Sequence, residues 1–286
     1  MHEITRQLIQ LALQEDIGSG DVTADFFVPA ERQASAVIAA RKSGVLSGVT
    51  IAAEVFRSVN PELRVEILAR DGTAVDAGCQ VMRIAGQARS ILTAERTALN
   101  FLQHLSGIAT MTSRYVEQIA HCPTRILDTR KTTPGYRLLE KQAVRDGGGS
   151  NHRMGLYDRA MVKDNHLVAQ HQLPALQAAI DALKKSKPEV KIELEADHLE
   201  QVLDFYTLSG VDYILLDNMT LATMRRAVEA RGNRSTPQLE ASGGVTLETV
   251  AAIAETGVDF ISVGALTHSA PALDLGLDFY PLEPTA

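Results

Sequence analysis

Nine Lys/Arg residues and only four Asp/Glu fall between Arg125 and Lys163, a local balance of +5 in a chain whose formal net charge is −7. A basic cluster inside an acidic protein is the footprint of a small, highly anionic ligand, because a long polyanion needs an extended basic surface. These charges are interleaved with Thr, Pro, Gly, Asn and His and lack helical periodicity, unlike a solvated basic helix face. Arg130, Lys131, His152, Arg153 and Lys163 are the members best suited to chemistry. Guanidinium forks match carboxylates or phosphates in pairs and lysine adds a compact charge, so the group suits an acid with two carboxylates together with a pyrophosphate. His152 stands between Asn151 and Arg153 after the run Gly147-Gly148-Gly149, read here as flexible. That placement fits a structural hydrogen-bonder or a catalytic group equally.

Two acids and a glycine turn complete the set. Glu195 and Asp217 follow adjacent apolar runs; two carboxylates beside a phosphate site suit Mg²⁺, which prefers oxygen ligands, or stabilise a cationic sugar centre. Glu193 is set aside as pointing to the other side of its strand. Ser242-Gly243-Gly244 and Gly264 follow the last two runs, where α/β barrels bind phosphate through main-chain N–H groups.

What must position these residues is a succession of βα units. Short apolar runs at Arg125–Leu127, Ala160–Val162, Val190–Leu194, Tyr213–Leu216, Gln238–Ala241 and Phe260–Val263 alternate with helical patterns at Leu173–Lys184, Leu199–Leu208, Leu221–Ala230 and Leu247–Glu255, the signature of a parallel sheet. Six strands are visible, two short of an eight-fold barrel. The polar residues just after them would converge on one face. Before about residue 108 the texture differs: strands at Ala36–Ala40, Leu63–Leu68 and Val81–Ile84, and a helix at Thr93–Leu105, predict a separate α+β domain.

The composition, 45% hydrophobic and 22% charged, is that of an ordinary globule, and no apolar stretch approaches the roughly 20 residues of a membrane span. The N-terminus predicts an amphipathic helix with Ile4, Leu8 and Leu11 on one face and carries no signal-peptide pattern, so a cytoplasmic location is expected, without membrane or nucleic-acid partners. Cys79 and Cys122 belong to no ligand motif and are expected to be buried thiols.

The blocks DTRKTTPG, DGGGSNHR and KDNH, with Glu15–Thr23 (EDIGSGDVT), Ala94–Asn100 (AERTALN) and Ala241–Gly244 (ASGG), resemble the quinolinate phosphoribosyltransferases over nearly the whole chain. The stretch after Glu195 is about one residue longer than in that family. The resemblance implies transfer of phosphoribosyl from phosphoribosyl pyrophosphate to quinolinate with Mg²⁺, giving nicotinate mononucleotide, pyrophosphate and CO₂ in NAD biosynthesis. It implies an α/β fold: an N-terminal α/β sandwich domain (1–108), packed by a C-terminal tail from about 275 to 286, and an incomplete, seven-stranded α/β barrel (109–274). By carry-over, Arg130, Lys131, Thr132, His152, Arg153 and Lys163 surround the quinolinate carboxylates and nearby phosphates. Glu195 and Asp217 serve ribose and metal, and Ser242, Gly243, Gly244, Val263, Gly264 and Ala265 hold the 5′-phosphate. Lys131, Lys163, Glu195 and Asp217 are the expected catalytic set. The resemblance further implies a homodimer, or a multiple of one, with Arg96 entering the neighbouring subunit's site. Three other readings stay open: a relative using a different pyridine or azole acid, a lyase or aldolase forming a Schiff base on Lys131 or Lys163, and a non-catalytic binder of phosphorylated metabolites.

Overall fold

The computed structural model describes residues 1–163 and 173–280. Asp164, Asn165 and His166, the end of the basic cluster, lie outside the described residues, as do 281–286. The chain forms two compact units, discontinuous in sequence: Met1–Ser113 with Thr132–Gly148 and Leu266–Ala286, and Arg114–Lys131 with Gly149–Ala265.

The first unit holds a four-stranded antiparallel sheet in the order β12-β1-β5-β3, built from β1 (Gln33–Ala40), β3 (Arg64–Ile67), β5 (Gln80–Gln87) and β12 (Leu275–Tyr280). A two-stranded pair, β2 (Gly44–Val45) with β4 (Ala74–Val75), accompanies it. Ile38, Met82, Ile84 and Phe56 are fully buried; Phe56 comes from α3 (Val49–Val59), whose apolar residues recur at helical spacing. α1 (Glu3–Ile17) is helical as expected, but it buries Thr5, Ile9 and Leu13 and leaves Ile4 and Leu11 exposed. The apolar pattern located the helix and misjudged its inner face. α4 (Ala88–Gln118) runs 31 residues, far beyond Thr93–Leu105.

Within the same unit α5 (Arg137–Asp146) anchors the middle of the basic cluster. Buried Glu140 accepts from His104 Nε2 at 2.9 Å and from the Thr133 main-chain N–H at 3.1 Å, while Tyr136 stacks on Phe101. A Cβ at Gly147 would overlap the Ala109 carbonyl oxygen. That glycine therefore permits close packing, and flexibility is not its role.

The second unit is a parallel six-stranded sheet in the order β6-β11-β10-β9-β8-β7, from β6 (Arg125–Leu127), β7 (Arg159–Val162), β8 (Lys191–Ala196), β9 (Tyr213–Asp217), β10 (Gln238–Ser242) and β11 (Phe260–Ser262). All six expected strands form. A seventh position exists as a single parallel bridge, Leu127 to Ser150, beside β6, too short to leave a periodic apolar run in the sequence. No ladder joins that position to β7 among the described residues. Ile192, Leu194, Ile214, Leu216, Leu239, Ala241 and Ile261 are buried on one face, and the residues alternating with them form the other. Helices α6 (Leu173–Ser186), α7 (Leu199–Phe205), α8 (Leu221–Arg231) and α9 (Val250–Ala254) supply the crossovers that parallel strands require. Both cysteines are half-buried free thiols, so full burial is not found. No helix among the described residues is long and apolar enough to cross a membrane.

Candidate active site

Strand alternation explains how polar side chains reach the interior. In β8 to β10 the register sets Glu195 beside Leu215, Leu215 beside Glu240, and Asp217 beside Ser242. Parallel neighbours in register share a face, so these side chains point the same way as one another. They line a cavity of about 520 Å³ together with Arg130, Lys131, His152, Arg153 and Lys163, a size typical of small-molecule sites. Gly243 and Gly244 lie on its wall. Glu195, Asp217 and Ser242, read from the sequence as following their strands, are residues of the strands themselves. Hydrogen-bond ladders therefore hold them more rigidly than loops would.

Lys163 forms an ion pair with Glu195, and Asn218 Nδ2 donates to Asp217 Oδ2 at 2.9 Å. Asn218 takes a positive φ of 51° and Gly243 one of 98°. A Cβ at Gly243 would both strain that backbone and overlap Asn218 Oδ1, so glycine is required here by conformation and by space. The cations crowd each other: burial, and then the neighbouring Arg130 charge, lower the Arg153 pKa from its ordinary value. Guanidiniums pressed together in a partly desolvated cavity are an anion-binding arrangement.

Beneath this rim lies a buried cluster that sequence reasoning missed. His152 Nε2 is 3.1 Å from Glu193 Oε2 and 3.4 Å from Glu240 Oε1. Arg159 NH1 is 3.4 Å from Glu193 Oε2 and 3.7 Å from Glu240 Oε2, with its guanidinium 4.2 Å over the Tyr213 ring. Ser262 Oγ donates to Glu240 Oε1 at 2.6 Å. The dismissal of Glu193 is overturned, since residues two apart on a strand share a face and Glu193 points inward with Glu195. Glu240 was passed over because it lies inside a run read only as strand. Alternation with Leu239 and Ala241 was the signal that could have found it.

The two buried acids titrate in opposite directions. Burial opposes ionisation of Glu193, but the hydrogen bond from His152 and the charge of Arg159 outweigh it and hold Glu193 below the usual carboxylate range. Burial, and then the charge on Glu193, push Glu240 well above that range. The two carboxyls are thus pushed apart in acidity, Glu193 toward the ionised form and Glu240 toward the protonated one. His152, Glu193 and Glu240 bring their ligand atoms within 4.8 Å of one another, a spacing compatible with a metal ion. The Arg159 guanidinium already supplies a cation there.

The remaining expected residues lie elsewhere. Arg96 is exposed on α4 in the first unit. Thr132 belongs to that unit too, where its hydroxyl accepts from Arg137 Nε at 3.0 Å. Val263 is buried, donating its main-chain N–H to Leu127 O at 2.9 Å; Gly264 and Ala265 follow it half-buried at the end of β11.

Family models for the quinolinate phosphoribosyl transferase C-terminal and N-terminal domains match residues 108–278 and 21–106. The chain is 42% identical over 288 residues to the mitochondrial quinolinate phosphoribosyltransferase [decarboxylating] 2b of Nicotiana tabacum, covering 95% of this chain and 81% of that protein. It is 44% identical over 271 residues to a probable nicotinate-nucleotide pyrophosphorylase [carboxylating] of Synechocystis sp., covering 94% and 90%. Among solved structures, the nicotinate-nucleotide pyrophosphorylase of Francisella tularensis superposes with a TM-score of 0.90 at 38% identity, covering 97% of this chain and 96% of that one.

Proposed function

The chain belongs to the quinolinate phosphoribosyltransferase family, and from that premise we propose how its cavity carries out phosphoribosyl transfer. The enzyme moves phosphoribosyl from phosphoribosyl pyrophosphate to quinolinate, releasing pyrophosphate and CO₂ and leaving nicotinate mononucleotide, a step of NAD biosynthesis. The observation that carries the reading is the meeting, in one cavity, of crowded cations, two carboxylates and a positive-φ glycine turn.

Arg130 and Arg153 grip the quinolinate carboxylates and so aim the ring nitrogen, while Lys131 and Lys163 face the phosphates. Ser242, Gly243 and Gly244 receive the 5′-phosphate on main-chain N–H groups, with Val263, Gly264 and Ala265 continuing that cradle. The ring nitrogen attacks ribose C1 as the bond to pyrophosphate breaks, through a centre with oxocarbenium character. Glu195 and Asp217 offset that positive charge, and the cations offset the charge on the departing pyrophosphate. The positive charge on the alkylated ring nitrogen then stabilises the electron pair left at C2 as the C2 carboxylate departs as CO₂, and a proton taken up from water completes the C2–H bond of the product. Glu195 and Asp217 offer the oxygen donors Mg²⁺ prefers, alone or with waters and phosphate; bound there, the ion would neutralise pyrophosphate charge. Lys163, ion-paired with Glu195, is placed for electrostatics and not for a Schiff base in an apolar pocket.

The working form is a cytoplasmic homodimer, or a multiple of one, in which Arg96 of one subunit completes the other's site. Mixing Arg96→Ala with Arg153→Ala subunits tests this: activity regained over that of either variant supports shared sites, and none at any mixing ratio refutes them. The reaction is tested with quinolinate, phosphoribosyl pyrophosphate and Mg²⁺, following nucleotide and CO₂. Nucleotide formed equally well from nicotinate would overturn the acceptor assignment.

A further inference from the structure

His152 lies where the cavity meets the buried cluster, and the protein engages both of its ring nitrogens. Nδ1 accepts the main-chain N–H of Arg153 at 2.7 Å. A nitrogen that accepts an N–H carries no proton of its own, so the ring proton resides on Nε2. Nε2 faces the Glu193 and Glu240 carboxyls at 3.1 and 3.4 Å. A second ring proton would need the Nδ1 lone pair that Arg153 occupies, and would sit beside the Arg159 guanidinium, 3.3 Å from Nε2.

We propose that His152 is a positioning residue and not an anion ligand: a neutral, Nε2-protonated imidazole, seated on Glu193 and Glu240, that fixes the Arg153 main chain and through it the Arg153 guanidinium. The surroundings support this use. The His152 main-chain N–H donates to Asp128 Oδ1 at 2.8 Å, and Asn151 Nδ2 donates to Asp128 Oδ2 at 2.6 Å. Asn151, His152 and Arg153 are thus tied down in succession. The Arg153 guanidinium is held at its far end as well, NH1 donating to Arg159 O at 3.1 Å and NH2 lying 3.6 Å from Met161 Sδ. An arginine clamped at both ends presents its fork with little conformational entropy left to lose on binding. Glu193, Glu240 and Arg159 seat His152 from below. Three consecutive residues that look like one anion-binding motif therefore divide into a support and a ligand.

The inference rests on Arg153 gripping an acceptor carboxylate, and the test separates the two. In the wild-type enzyme with ¹⁵N-labelled histidine, the His152 resonances, assigned by their loss in His152→Asn, should show unprotonated Nδ1 and protonated Nε2 near neutral pH. They should keep that pattern when quinolinate is added. Asn places Oδ1 where Nδ1 was and can still accept from Arg153; Ala cannot. His152→Ala should raise the KM for quinolinate about tenfold or more, as expected for a misplaced charged hydrogen bond, with His152→Asn recovering most of the loss. A doubly protonated His152, a change of tautomer on binding quinolinate, or an Asn variant as impaired as the Ala variant would overturn the proposal. The spectrum decides even where a variant fails to fold. Arg153→Met serves as the control for the site reading: an unchanged quinolinate KM there would defeat the assignment of Arg153 without touching the tautomer.

Discussion

The rim of the cavity and the cluster beneath it are made of the same residue types and do opposite things. At the rim, Arg130, Lys131 and Arg153 stand with Glu195 and Asp217 around an open cavity, and burial, followed by the neighbouring Arg130 charge, lowers the Arg153 pKa. Below, Glu193 and Glu240 are fully buried against Arg159, His152 and Ser262, with Glu193 Oε1 and Glu240 Oε2 left without a hydrogen-bond partner among the described residues. Residue type alone therefore does not distinguish ligand-binding from support. What distinguishes them is burial: Glu193 and Glu240 are wholly enclosed, whereas the rim charges line an open cavity.

Variants that exchange these properties would break the comparison. The largest effect is expected below the rim: Arg159→Met leaves ionised Glu193 without its guanidinium and should remove about 3 kcal/mol or more of stability, read from the urea midpoint. A loss below about 1 kcal/mol would mean that the cluster is not held together by that charge. At the rim, Glu195→Gln or Asp217→Asn should lower kcat about 100-fold, the usual scale for a lost transition-state charge contact, with a nearly unchanged melting temperature. A matching loss of stability would make those acids supports. Gly243→Ala comes next: forced into positive φ against Asn218, it should destabilise by about 1 kcal/mol or more and raise the KM for phosphoribosyl pyrophosphate before that for quinolinate.

The smallest effect is the most diagnostic. Glu240 has its folded-state pKa raised well above the unfolded value, so its contribution to stability is fully present below the usual carboxylate range and is lost as pH climbs from there toward the folded pKa. Glu193, held low, behaves oppositely and contributes above that range. Glu240→Gln imitates the protonated acid and removes the first dependence. Its melting temperature relative to wild type should therefore rise as pH climbs above about 4, where the unfolded wild-type carboxyl ionises ahead of the folded one. A difference that is flat with pH, or falls, would mean that Glu240 is ionised in the folded protein.

Much of this was legible in the chain. All six strands of the second unit were marked by short apolar runs, because a strand covered on both faces must be apolar along most of its length. The cations and glycines at their ends stood out because they interrupt that pattern. Ser150 was invisible, since a single bridging residue has no period. β12 escaped notice because its pairing with β1 joins residues more than 230 positions apart, and pairing at that range has no local signal.

The basic cluster between Arg125 and Lys163 is continuous in sequence, yet Thr132–Gly148 belongs to one compact unit and Gly149–Lys163 to the other. The sequence by itself determined the family, the order of βα units and the supply of anion-binding side chains, all of which depend on residue type and local spacing. Only the tertiary structure decided that Glu193 and Glu240 meet beneath His152 with their acidities pushed apart, and that this histidine faces its own main chain. Those outcomes depend on burial and on distances across strands remote in sequence, where a carboxylate's charge is set by its neighbours.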